Sequence, residues 1–248
     1  MKLKPSSIKN RLKHILASLQ WIRFRRIPVE EQLTKMRQDW DQRALENARH
    51  YVATNKQQWS DADFFASGEE TVERHILNDM DDICQGREPS AMKVLEIGCG
   101  AGRITRALAG LFGEVHAVDI SDEMVGLARQ ALSPCPNAFV YRNNGVDLSV
   151  IPRDQFDFAF SCLVFQHIPN RAIIHGYVRE VHRLLRPGAL FKFQVQGVKL
   201  HANPEDTWVG AAFSDEQIVR MAAQCGFEAR HRHGAGTQEF WVWYFKRI

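Results

Sequence analysis

Glu96, Gly98, Gly100 and Gly102 stand at every second position of Val94-Leu95-Glu96-Ile97-Gly98-Cys99-Gly100-Ala101-Gly102-Arg103, the stretch whose residue types and spacing speak most directly of chemistry. Glycine lets a backbone take positive φ and lets a ligand come close to the main chain. Apolar residues at 94, 95 and 97 suit a buried parallel strand, and Ile104, Ala107, Leu108 and Leu111 recur at helical spacing after the glycines. The loop therefore opens onto a helix start, where unpaired N–H groups favour polar or negatively charged ligand groups. A dinucleotide fingerprint, G-x-G-x-x-G, would carry its third glycine at 103, which is Arg103; the third glycine comes one residue early. A carboxylate inside the strand disfavours a neighbouring pyrophosphate and suits a ligand that carries an ammonium group.

These residues need a scaffold, and the pattern from residue 92 onward supplies one. It predicts strands over 93–97, 114–118, 138–142, 156–163, 189–196, 227–233 and 238–246. Helices are expected from 103, after Ser121, from Asn170 through Leu185, and after Ser214 with Gln217 three residues on; Arg186-Pro187-Gly188 reads as a turn. Strands separated by single helices imply an α/β fold, a doubly wound and mostly parallel seven-stranded sheet. Only Gly234-Ala235-Gly236-Thr237 separates the last two strands, so an antiparallel hairpin is expected at the edge. Upstream, the pattern is helical. Leu33, Met36, Trp40, Ala44, Ala48 and Tyr51 keep helical spacing over 29–58, and helix starts are expected at Ser60 and, as a capping box, at Ser67-Gly68-Glu69-Glu70. The expected organisation is a basic amphipathic helix over 1–28, a helical cap over 29–90 and a ligand-binding domain over 91–248.

The series Glu96-x-Gly98-x-Gly100-x-Gly102 resembles the first motif of the class I S-adenosylmethionine-dependent methyltransferases, and the resemblance spans residues 91–248. It implies a Rossmann-like fold and a cofactor, S-adenosyl-L-methionine, held by Glu96, Gly98, Cys99, Gly100 and Gly102. Asp119, ending His116-Ala117-Val118-Asp119, resembles the residue that grips both ribose hydroxyls, and a carboxylate suits a diol as a bidentate acceptor. Ile120 and Met124 resemble the apolar cover of the adenine. Asn144-Gly145 matches the stretch that reads the adenine edge, with Asn where many relatives have Asp. Ser161-Cys162-Leu163-Val164-Phe165-Gln166-His167 resembles the motif that ends the fourth strand beneath the methyl group. Leu184-Leu185-Arg186-Pro187-Gly188-Ala189-Leu190 is similar to the family's R-P-G-G turn, with Ala189 for the second glycine. Trp40-Asp41-Gln42-Arg43-Ala44 and Tyr51 resemble the cap that precedes the core in bacterial relatives.

Methyl transfer from a sulfonium is an in-line displacement that needs an aligned nucleophile and exclusion of water. A base is needed only where the acceptor loses a proton. His167 is the candidate base, since His titrates near neutrality; the other reading has it capping or packing beside Ile168-Pro169. Arg103 is either a partner of the methionine carboxylate or a solvated surface residue. Trp40, Tyr51 and Phe165 are candidates for a lid or acceptor wall, with core packing as the alternative. The long connection from Gly197 to Phe213 carries His201, Asn203, Asp206 and Trp208 and is assigned to acceptor recognition. The expected acceptor is a small molecule, glycan-like or lipid-like. Two other functions stay open: a non-catalytic sensor or scaffold that binds the same cofactor, and an NAD-dependent oxidoreductase, against which the early third glycine argues.

Charge is unevenly placed. Residues 1–28 hold eight Lys or Arg and no acid, so the other 220 residues are net acidic although the chain as a whole is +3. Ile8, Leu12, Ile15, Leu16, Leu19 and Ile22 form one stripe, with Lys9, Arg11 and Lys13 facing away. Residues 6–26 read as an interfacial helix on an anionic membrane, as a helix packed on its own domain or a second subunit, or as a nucleic-acid contact, the last unlike the rest of the chain. No apolar run reaches the length of a membrane span, so the protein is expected to be cytoplasmic or membrane-peripheral. The five cysteines include no C-x-x-C pair and read as reduced thiols. His231 and His233 lack neighbouring ligands, and no metal is expected.

Overall fold

The computed structural model describes residues 27–151, 155–200 and 207–248; residues 6–26 and His201, Asn203 and Asp206 lie outside the described residues. Its seven strands are β1 (Lys93–Ile97), β2 (Glu114–Asp119), β3 (Ala138–Arg142), β4 (Phe156–Ser161), β5 (Leu185–Val195), β6 (Phe227–His233) and β7 (Phe240–Lys246). They form one sheet in the order β3-β2-β1-β4-β5-β7-β6. The pairs from β3 to β5 are parallel, whereas β7 runs antiparallel to both β5 and β6. The expected edge hairpin is therefore present. Strand order reverses between β1 and β4, and in such a sheet the crevice for a ligand opens beyond the carboxyl ends of those strands.

The period of two along β1 sorts the core into layers. Leu95 and Ile97 join a cluster with Ile174 and Val178 of α6 (Arg171–Leu184) and Ile218 and Met221 of α7 (Asp215–Gln224). Val94 packs on the other face with Ile104 and Leu108 of α4 (Arg103–Leu111) and Val72 of α2 (Asp61–His75). Glu96 shares the face of Val94, so its carboxyl enters the layer occupied by α4. The two remaining helices over the core are α1 (Val29–Val52) and α5 (Asp122–Ala131), with the short α3 (Met80–Cys84) between α2 and the sheet. Among the described residues no helix is long and apolar enough to cross a membrane.

Local chemistry explains where most helices begin. Ser60, Ser121 and Asn170 each accept a backbone N–H of the first turn, and Ser214 with Gln217 forms a complete capping box. The box expected at Ser67 does not form, because α2 runs through it. Ser67 Oγ donates back to the Phe64 carbonyl, which satisfies the hydroxyl inside a continuing helix. Gly68 serves a crossing: a Cβ there would lie 2.2 Å from the Arg103 carbonyl oxygen of α4.

Several strand bounds also differ from the reading of the sequence: β2 runs on to Asp119, β5 ends at Val195, β7 begins at Phe240, and two further shifts have a clear cause. β5 begins at Leu185, and Arg186-Pro187-Gly188 sits within it as a bulge, with Leu185 opposite Phe156 and Leu190 opposite Phe158. Pro187 has no N–H to lose there, and Gly188 takes φ +77°. β4 stops at Ser161 because the chain turns, with Leu163 at φ +60°.

Helix α1 ends at Val52, short of the expected 58, and breaks within itself at Asn47. There Asn47 Oδ1 accepts the His50 N–H and Nδ2 donates to the Gln57 carbonyl. The side chain thus starts a second short helical segment, which carries Tyr51 and Val52.

Candidate active site

A cavity lies beyond the carboxyl ends of β1, β2 and β4, roofed by α1, where a doubly wound sheet receives its ligand. Its floor is the glycine loop. Gly98 and Cys99 both donate their N–H groups to the Val118 carbonyl, at 2.7 and 3.0 Å, which folds the loop tightly against β2. A Cβ at Gly98, where φ is +78°, would lie 2.2 Å from a methyl of Val164, so only glycine fits between the loop and the segment after β4.

Asp119 closes the polar end of the cavity from the last position of β2. Its Oδ2 accepts the Gly100 N–H at 2.9 Å and its Oδ1 the Ser121 N–H at 3.0 Å, which fixes the carboxyl while leaving lone pairs on both oxygens. Burial pushes its pKa up, and these N–H groups oppose the rise. Glu96 is 2% exposed and accepts from Thr105 Oγ1 at 2.6 Å. Burial pushes its pKa up to about 7, against the pull of the Thr105 hydroxyl and the Arg103 guanidinium, with Asp119 adding to the rise.

Arg103 is not a solvated surface residue: it is 5% exposed and lines the cavity. Its Nη1 donates to the Ser67 carbonyl at 2.7 Å and to Thr71 Oγ1 at 3.0 Å, whereas Nε is buried with no hydrogen-bond partner. A second orphan lines the same cavity. Asn143 Oδ1 is buried and unpartnered, while its Nδ2 donates to the Tyr177 hydroxyl at 2.8 Å. Asn144, expected here, instead turns away: Oδ1 accepts the Val146 and Asp147 N–H groups and organises the loop after β3. The side chain at the cavity is thus one residue earlier, because pairing of β2 with β3 continues one step further, through the Asn143 N–H on the Asp119 carbonyl.

The other end of the cavity is aromatic. Trp40 and Tyr51 of α1 face His167, Leu163, Val164 and Ile168 from the segment after β4. Trp40 meets the His167 ring edge-on, with centroids 5.3 Å apart. Trp208 backs this group, 4.7 Å from His167, 5.8 Å from Tyr51 and 6.2 Å from Trp40. The Arg43 guanidinium lies 4.8 Å from the Trp40 ring and donates to Thr207 Oγ1 at 3.1 Å. Trp40 and Tyr51 therefore roof the cavity, and Trp40, partly buried, also packs against the core.

Other expected residues divide. Gly98, Cys99, Gly100, Ile120, Met124 and Cys162 line the cavity. Burial pushes the Cys162 thiol up to about 12 and the Cys99 thiol well above its usual value, so neither is a thiolate nucleophile. Gly102, Gly145, Ser161 and Phe165 do not line it. Gly102 ends the loop at φ +83° ahead of α4, and Gly145 packs against Leu33 and Ile120. Ser161 Oγ donates to the Ile97 carbonyl, and Phe165 lies in the core beside Tyr177, Phe191 and Phe193. Met36, Val52, Asn143 and Tyr177 line the cavity without having been singled out. Asn143 stands next to a recognised position; Tyr177 carries no local signal, since α6 brings it in from across the sheet. Among the described residues, no group of three His, Cys, Asp or Glu side chains could hold a metal.

Residues 95–193 match a known protein family, described as methyltransferase domain. Over 118 residues the chain is 31% identical to a ubiquinone biosynthesis O-methyltransferase of Xanthomonas axonopodis, covering 46% of this chain and 48% of that protein. A protein of the same name from Nitrosomonas europaea is 26% identical over 146 residues, 58% of each chain. The chain thus spans about half the length of the curated relatives it matches. Among solved structures, magnesium protoporphyrin IX methyltransferase from Synechocystis PCC 6803, with bound SAH, superposes with a TM-score of 0.63. That match is 15% identical and covers 86% of this chain and 99% of the other, a likeness of fold.

Proposed function

We propose that this chain belongs to the class I S-adenosylmethionine-dependent methyltransferase family, to which it is similar over its sheet region, and transfers a methyl group from S-adenosylmethionine to the hydroxyl oxygen of a small, planar acceptor. The observation that carries the reading is the division of one cavity into a polar end, with Asp119, Glu96, Arg103 and Asn143, and an aromatic end, with Trp40, Tyr51 and His167. The polar end fits the cofactor on its own chemistry. The orphaned Asn143 Oδ1 is an acceptor for an exocyclic amine, and the orphaned Arg103 Nε is a donor for a carboxylate. Asp119 offers two held oxygens to a diol, and Glu96 faces an ammonium group. When bound, the cofactor supplies an electrophilic methyl group on a sulfonium.

The chain's own residues then position and protect. Trp40, Tyr51 and Val52 close the roof against water, and Leu163 and Val164 confine the acceptor beside His167, which takes the acceptor's proton at Nε2. An oxygen acceptor agrees with the names of the curated relatives, which are O-methyltransferases. In this reading residues 29–90 are the cap and 91–248 the cofactor-binding domain.

Isothermal titration of the full chain tests the donor: S-adenosylmethionine is expected to bind and NAD is not, and tight binding of NAD alone would sink the reading. Asp119→Ala is expected to weaken binding by about 100-fold, the scale of two hydrogen bonds to a charged acceptor. Transfer of labelled methyl groups to a panel of phenols, amines and thiols tests the acceptor and separates an enzyme from a silent cofactor-binding sensor.

The reading extends to residues 6–26 as a peripheral contact with an anionic membrane in the cytoplasm. It is supported by their six Lys or Arg with no acid, in a stretch that precedes the helix carrying Trp40 in sequence. The full chain is expected to sediment with anionic vesicles and a chain lacking 1–28 to stay in solution; sedimentation of both would remove the idea.

A further inference from the structure

Gln194, near the end of β5, is 1% exposed, and its amide begins a line of hydrogen bonds that ends at the cavity. The Leu163 N–H donates to Gln194 Oε1 at 3.2 Å, and Gln194 Nε2 donates to Gln166 Oε1 at 3.0 Å. Gln166 Nε2 lies 3.1 Å from His167 Nε2. On the other side of the imidazole, Nδ1 meets the Trp208 carbonyl.

Both ends of this line are backbone groups whose polarity cannot change: an N–H only donates and a carbonyl only accepts. From the Leu163 end, Gln194 must turn its oxygen to the N–H, which leaves its amino group for Gln166. Gln166 must then turn its oxygen to Gln194 and its amino group to His167. An amino group accepts nothing, so the ring nitrogen facing it carries a lone pair and no proton. From the other end, the Trp208 carbonyl requires a proton on Nδ1. The two ends impose the same state on the ring. Turning over either amide alone would set donor against donor or acceptor against acceptor along a part-buried line, where Gln194 itself is buried and an unmade hydrogen bond is costly.

We infer that Gln194, acting through Gln166, is a positioning residue that holds His167 as its Nδ1–H tautomer with Nε2 free of a proton. The inference rests on the reading of His167 as the proton acceptor. In that step the acceptor's hydroxyl takes the place of the Gln166 amino group at Nε2. Its proton passes to Nε2, the O–H electron pair stays on the oxygen that becomes the nucleophile, and the imidazolium keeps its Nδ1–H on the Trp208 carbonyl.

Gln194→Glu tests this by reversing the line. A carboxylate still accepts the Leu163 N–H but cannot donate to Gln166. Gln166 then turns its amino group to the carboxylate and its oxygen to His167, which must carry a proton at Nε2. Long-range ¹H–¹⁵N correlation spectra of the full chain at pH 8 report the tautomer, with the His167 signals identified by their loss in His167→Asn. The unaltered chain is expected to show Nδ1 protonated and Nε2 bare; in Gln194→Glu, where the Trp208 carbonyl still holds the proton on Nδ1, the ring is expected to carry a second proton on Nε2. With an acceptor that must lose a proton, kcat of Gln194→Glu is expected to fall about 100-fold, with KM for S-adenosylmethionine unchanged. An Nε2–H tautomer in the unaltered chain, or a bare Nε2 in Gln194→Glu, would overturn the inference. Because the spectra do not depend on turnover, undiminished kcat in His167→Asn would overturn the base reading alone.

Discussion

At the scale of single residues, the cavity holds a carboxyl that changes charge close to neutral pH. Glu96 is buried, and its pKa is pushed from 4.5 to about 7. Between those two values the folded chain holds a proton that the unfolded chain has released, so stability falls as pH rises through the window. Glu96→Gln stays neutral throughout and keeps an acceptor for Thr105. Its melting temperature is expected to exceed that of the unaltered chain at pH 8 and to match it at pH 4.5. Ligand binding has the opposite sign, because a cation beside Glu96 favours the ionised form. Titration calorimetry is expected to show S-adenosylmethionine binding more tightly at pH 8 than at pH 5.5, a dependence that Glu96→Gln flattens. Glu96 was legible in the sequence as an acid within an apolar strand; its protonation was not, since that depends on α4 closing over it.

At the scale of elements, the joint between α2 and the sheet is electrostatic. Lys192, in the middle of β5 and 3% exposed, donates to Asp79 Oδ2 at 2.7 Å and to the His75 carbonyl at the end of α2. Its ammonium lies 4.3 Å from the Trp243 ring of β7, whose Nε1 also donates to Asp79. Burial lowers the Lys192 pKa, and Asp79 opposes this. Removing one member of such a pair leaves a charge buried without its partner. Asp79→Ala is expected to cost about 3–5 kcal/mol in urea denaturation, and Asp79→Leu with Lys192→Met to recover most of it. The helix starts at Ser60, Ser121, Asn170 and Ser214 were legible because a cap is set by residues within one turn. The false start at Ser67 shows the limit of that logic, since the same Ser and Glu pattern sits inside a helix once tertiary packing continues it.

At the scale of the whole molecule, the N-terminal helices meet the helices of the sheet where α2 crosses α4. Gly68 makes the approach possible, and Arg103 bridges it by donating to Ser67 and Thr71 while lining the cavity. The crossing of α2 on α4 and the placement of a cavity-lining side chain are therefore set together. Gly68→Ala puts a methyl 2.2 Å from a backbone oxygen, so it is expected to lower stability by about 1–3 kcal/mol. It is also expected to weaken S-adenosylmethionine binding, because Arg103 moves with α4. Denaturation and calorimetry on the same preparation check both effects; a loss of stability with unchanged affinity would uncouple them.

The sequence by itself determined the order and type of the elements from 93 onward, the glycine loop and the acid at the end of β2. Each is set by residues a few positions apart: alternation makes the strand, glycine permits the turn, and the chain cannot place Asp119 anywhere but after Val118. Only the tertiary structure decided which residues share the cavity. It chose Asn143 over Asn144 through strand pairing, sent Phe165 into the core, and brought Trp208 against Trp40 and His167. It also joined Leu163, Gln194, Gln166 and His167 into one line of fixed polarity. These contacts link positions as many as 168 apart along the chain, Trp40 to Trp208, and no local pattern records which distant side chains the fold will bring together.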